Sequence, residues 1–130
     1  MLGNIPSPEV FHQLAEESLT YLPRMFRQQL NGLAIIVEDF ADPSTLEHFG
    51  MQSPFQLLGL YRGLPLPSRN HLSTPSDQNR IFLYRLPIIR YWQNSHNTLA
   101  EVIRHVLVHE IGHHFGLSDA DMEKIEDSVE

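Results

Sequence analysis

Apolar positions along the chain fall into helical and strand periods that predict most of its elements. Val10, Phe11, Leu14, Ala15 and Leu19 recur at helical spacing. Ser7-Pro8-Glu9 stands ahead of them as a start signal: a hydroxyl cap, proline at the first position and an acid at the positive end of the helix dipole. Pro23 ends or interrupts this segment, Met25 to Leu30 predicts a second short helix, and Asn31-Gly32 is a stop. Leu33 to Val37, short, apolar and β-branched, predicts a buried strand. Pro43 to Phe49 predicts a short helix closed by Gly50. Leu57 to Arg62 and Arg80 to Arg85 predict two more strands. Between them residues 63–79, with three prolines and many small polar residues, predict a long loop that is either functional or merely a mobile tip. Pro87 separates the third strand from a short segment, Ile88 to Gln93.

The last third is helical. Thr98-Leu99-Ala100-Glu101 is a capping box, Leu99, Val102, Ile103, Val106 and Ile111 continue with helical spacing, and Gly116 suits a left-handed cap. Ser118 with Asp121 predicts a terminal helix. The order is α-β-α-β-β-α-α, an α+β chain without internal repeat or linker.

Composition narrows the function. The 130 residues suit one domain, residues 1–130, and 42% hydrophobic with 19% charged residues is globular. Absence of cysteine excludes disulfides, cysteine-held metals and a thiol nucleophile. No apolar run approaches the ~20 residues of a membrane span. The N-terminal stretch MLGNIPSPEVFHQ has neither the basic nor the apolar region of a signal peptide, so a cytoplasmic location is expected. A net charge of −7 disfavours a nucleic-acid partner. The unusual number is eight histidines.

Two of them open and close His109-Glu110-Ile111-Gly112-His113 on the capped helix. Residues four apart share a helix face, so two imidazoles can converge on one zinc ion. Glu110, next to the first ligand, can take a proton from a water that the ion acidifies. Chance gives HExxH ~0.04 times in a chain of this composition. The string extends to HExxHxxGxxD, because Gly116 and Asp119 follow at intervals of three. The glycine turns the chain and returns Asp119 as a third ligand, leaving a fourth position open as in catalytic zinc sites. Asp121 substitutes if the turn is one step wider. Asp119 also sits at the start of the predicted terminal helix, where a carboxylate suits the dipole in any case.

VLVHEIGHHFGLSDADM resembles the motif region of the small zincin-like metallopeptidase family, and LLGLYRG and RIFLYRLPIIR resemble its middle strands. The resemblance covers most of the chain. It implies a minimal zincin-like fold, with a small three- to four-stranded sheet packed against the HExxH helix. It also implies one zinc ion per chain held by His109, His113 and Asp119, Glu110 as general base, and a peptide or protein substrate. Asp119 stands where the larger metzincins carry a third histidine, and Met122 is too close to it to form their methionine turn.

The expected function is therefore zinc-dependent peptide hydrolysis. The alternative is a non-catalytic zinc-binding or protein-interaction module on the same fold. His105, one turn before His109, is either a group at the rim of the site or a partly buried, hydrogen-bonded histidine. His114 points about 100° away from His113. Tyr61, Tyr84, Tyr91 and Trp92 are candidates to polarise a carbonyl, with core packing or surface stacking as the competing role. A substrate is expected to lie extended along an exposed strand edge, with the motif helix and loop 63–79 as walls.

Overall fold

Capping sets where the helices begin. Ser7 Oγ accepts from the Val10 N–H at 3.3 Å, and α1 (Pro8–Leu19) carries its proline in the first turn. Asp42 caps α3 (Pro43–His48) by accepting from the Thr45 N–H at 2.8 Å. Thr98 caps α5 (Leu99–Phe115) through a reciprocal box. Its Oγ1 accepts from Glu101 N–H at 3.1 Å, and its own N–H donates to Glu101 Oε1 at 2.7 Å. Gly50 (φ 67°) and Gly116 (φ 70°) close α3 and α5 in the left-handed region that suits glycine.

The computed structural model describes residues 5–27, 30, 32–63 and 79–116. Besides these helices it contains α2 (Arg24–Arg27), α4 (Arg85–Gln93), a 3-10 turn at Pro54–Gln56, and the strands β1 (Ala34–Glu38), β2 (Gly59–Arg62) and β3 (Arg80–Tyr84). Counting α2 with the first helical segment, the described order is α-β-α-β-β-α-α, with α4 and α5 as its last two helices where the sequence pattern predicts the motif helix and a terminal helix. Residues 64–78, where most of the predicted loop falls, and the terminal helix predicted from Ser118 lie outside the described residues.

The sheet runs β1-β3-β2. β1 is parallel to β3, with Ile35 opposite Ile81 and Val37 opposite Leu83. β2 is antiparallel to β3, with Gly59 opposite Leu83 and Tyr61 opposite Ile81. Alternation therefore puts these residues on one face. There Ile81 and Leu83 are fully buried in a core with Phe11 and Ala15 of α1 and Ile103 and Leu107 of α5. α1 packs over β1, and α5 packs over β2 and β3. On the other face, Arg62 donates to Thr45 Oγ1 of α3 at 2.7 Å.

Two local expectations change. The strand expected to be buried, β1, is an edge strand and only half-covered, because β3 takes the centre of the sheet. Pro87 is no separator. The chain turns from β3 straight into α4, and Pro87 lies in the helix's first turn, where its missing N–H has no intrahelical partner to lose. Arg85 braces this corner by donating to Asp39 Oδ1 and the Pro6 carbonyl, both at 2.8 Å. Among the described residues no helix is long and apolar enough to cross a membrane.

Because the Thr98 box satisfies the N-terminal donors of α5, Thr98→Ala costs about 1 kcal/mol of stability. Urea unfolding checks this as a lower midpoint at unchanged slope.

Candidate active site

One helix face carries three of the candidate histidines. His105, His109 and His113 follow at successive turns of α5, with ring centroids 6.5 Å apart for the first pair and 5.0 Å for the second. His105 and His113 are exposed, and His109 is half-buried. Glu110 differs, being only 7% exposed. It faces the sheet across a cleft of about 260 Å³ whose walls include Leu58 and Gly59 on one side and His105, Val106 and His109 on the other.

The carboxylate of Glu110 is held by two elements. His113 Nδ1 lies 3.2 Å from Glu110 Oε1, its ring N–H donating, and the backbone N–H of Tyr61 in β2 donates to the same carboxylate. Burial raises the pKa of Glu110, while His113, His109 and the Tyr61 amide act against it. The carboxyl is thus a stronger base than an exposed glutamate, and it is already oriented.

Tyr61 reaches this position because β2 is an edge. Tyr84 N–H donates to the Leu58 carbonyl at 2.9 Å, so Leu58 and Tyr84 form a hydrogen-bonded pair. In an antiparallel ladder the next residue and the third then turn their N–H and C=O groups away from the partner strand. Those residues are Gly59 and Tyr61.

Gly59 makes the approach possible. A Cβ there would lie 2.6 Å from Val106 Cγ1, 3.1 Å from the Phe82 carbonyl oxygen and 3.4 Å from Glu110 Cγ. Even a methyl group there forces the Val106 side chain to shift and the Phe82 carbonyl to give by a few tenths of an ångström. Gly59 and the Tyr61 amide stand outside the HExxH motif. A glycine inside an apolar strand pattern signals close backbone approach, and LLGLYRG carries that signal.

The described donors suit zinc, which takes imidazole nitrogen and carboxylate oxygen. With the His113 Nδ1–H directed at Glu110, its Nε2 keeps the lone pair for a metal. Asp119 and Asp121 lie outside the described residues, as does Met122. Among the described residues, no three His, Asp or Glu side chains gather as they would around an ion.

The aromatic candidates divide. The Tyr61 hydroxyl donates to Asn79 Oδ1 at 3.1 Å, and Trp92 packs against the core. Tyr84 is buried, its phenol pushed up to about 12 by burial first and by the charge of Glu38 next. Tyr91 is 51% exposed on α4.

A family model described as zincin-like metallopeptidase matches residues 30–129, well over half of the chain. No match is found among curated proteins.

Gly59→Ala is expected to destabilise the fold by about 1–3 kcal/mol through overpacking. Adding Val106→Ala should recover part of that loss, and urea unfolding of the two single variants and the double variant measures the coupling. Tyr84 gives a pH signature. Its raised value means the fold favours the protonated phenol, so this contribution is fully present below pH 10 and lost as pH rises toward 12. Tyr84→Phe should flatten the fall in stability over that window, read from urea midpoints of variant and parent.

Proposed function

We propose that this chain, which belongs to the zincin-like metallopeptidase family, is a single-domain zinc-dependent peptide hydrolase with Glu110 as its general base. The observation that carries this reading is the placement of Glu110. A carboxylate lies buried at the wall of an open cleft, restrained by a strand amide and a histidine, between two imidazoles on the same helix.

His109 and His113 would hold the zinc, with Asp119 as the third ligand. A zinc ion held there supplies Lewis acidity and makes water acidic enough to attack near neutral pH. The remaining chemistry belongs to the chain. Glu110 accepts the proton of the attacking water as its oxygen bonds to the scissile carbonyl carbon. The carbon–nitrogen bond then breaks, and Glu110 returns the proton to the leaving amine nitrogen. Its burial supports both halves of this cycle, since a raised pKa makes the carboxylate a better acceptor and brings it nearer the operating pH. The outer edge of β2, where the Tyr61 carbonyl points away from β3, offers an extended peptide a short stretch of backbone beside the cleft. The Tyr61 N–H, engaged by Glu110, keeps the base at the end of that stretch.

Calorimetry of the stripped protein should find one zinc bound per chain. His113→Ala and Asp119→Ala should each weaken that binding. Glu110→Gln should keep zinc affinity and lose about 10²- to 10⁴-fold in peptide hydrolysis. Zinc binding without hydrolysis by the parent protein, across a diverse peptide library, would instead identify a non-catalytic zinc module. Equal turnover by parent and Glu110→Gln would remove the assigned base.

A further inference from the structure

The cleft at Glu110 does not end at Leu58. Leu58, His105 and Val106 also line a neighbouring recess of about 440 Å³. Tyr91 and Asn97 line that recess and a wider one beyond it of about 820 Å³. These shared walls join the three hollows into one trough between the first turns of α5, the end of α4 and the chain entering β2.

Arg90, Arg104 and Glu101, which line this trough, each have a partner within the fold. Arg90 lies with its guanidinium 4.6 Å from the centre of the Phe55 ring, and Arg104 lies 5.1 Å from that of Tyr21. The Glu101 carboxylate accepts the Thr98 N–H at 2.7 Å. What the trough offers a visitor is the half-exposed Tyr91 ring, the apolar flanks of Leu58 and Val106, and the Asn97 carboxamide. A large exposed aromatic beside a groove is a contact surface for another apolar group.

The length of the trough follows from α5. Glu101 lines the near recess nine residues before Glu110, so it lies about 14 Å along the helix. An extended peptide covers that distance in about four residues.

We infer that this trough is a binding surface for the substrate polypeptide on one side of the scissile bond, and that it seats a bulky apolar or aromatic side chain against Tyr91, about two to four residues from the cut. This inference rests on the peptidase reading above and names its substrate class. The substrate is an extended, unfolded segment rather than a dipeptide, selected by an apolar residue remote from the reacting carbonyl. Continuity with the Glu110 cleft is what identifies the occupant.

Two measurements test it. In the first, zinc-loaded protein digests a mixture of denatured proteins, and mass spectrometry maps the cut sites. Phe, Tyr, Trp or Leu should be enriched two to four residues to one side. For a peptide carrying such a residue, Tyr91→Ala should raise KM about tenfold with kcat little changed, and Tyr91→Phe should restore it. A peptide truncated before that position should be indifferent to Tyr91→Ala. No positional enrichment, or equal loss on long and truncated peptides, would overturn the inference.

The second measurement does not depend on turnover. Fluorescence anisotropy reports binding of a labelled octapeptide with a single Phe to zinc-loaded Glu110→Gln protein. Adding Tyr91→Ala should weaken Kd about tenfold. An unchanged Kd, or no binding, overturns the trough. Binding that responds to Tyr91 in a protein whose parent cleaves nothing supports the trough and rejects the hydrolase.

Discussion

A backbone amide can reach a carboxylate on a neighbouring helix only where no side chain holds strand and helix apart. That condition is met at Gly59, where even a methyl group would stand 2.6 Å from Val106 Cγ1. Because the glycine lets α5 settle onto β2, the Tyr61 N–H meets Glu110, and Glu110 is buried rather than left on the outer face of the helix. The position of the candidate base is therefore a packing result. Its chemistry depends on a contact between Tyr61 and Glu110, forty-nine positions apart in the chain.

Burying a carboxylate costs free energy unless its lone pairs are satisfied. Glu110 has a strand amide on one side and the His113 ring on the other, which offset part of that cost while burial still raises its pKa. The same arrangement explains the unequal exposure along α5. His105 and His113 sit toward solvent and His109 is half-buried, while Val106, Leu107 and Ile111 anchor the helix in the core between them. The capping box at Thr98 and the left-handed Gly116 set the register of this face, since they fix where the helix starts and where the chain leaves it.

The trough has a related origin. α4 begins without a linker at the end of β3, with Pro87 buried in its first turn and Arg85 tying the corner to Asp39 and Pro6. This abrupt turn carries Tyr91 back across the first turns of α5.

Much of the candidate site was legible from local pattern. Ser7, Thr98 and Gly116 announce helix ends through bonds that span three or four residues, and His109 and His113 share a face because a helix repeats every 3.6 residues. The boundaries of the capped helices and the face shared by the motif histidines follow from such short-range physics, and these the sequence by itself determined. Asp119 is a residue of the motif whose position lies outside the described residues. The tertiary structure alone decided that β3 lies at the centre, that β1 is therefore a half-covered edge, and that Pro87 opens a helix. It alone decided that Gly59 admits the motif helix and that Tyr61 meets Glu110. Strand order and close approach are settled by burial and hydrogen bonding between residues far apart in the chain, and no window of neighbouring residues contains that competition.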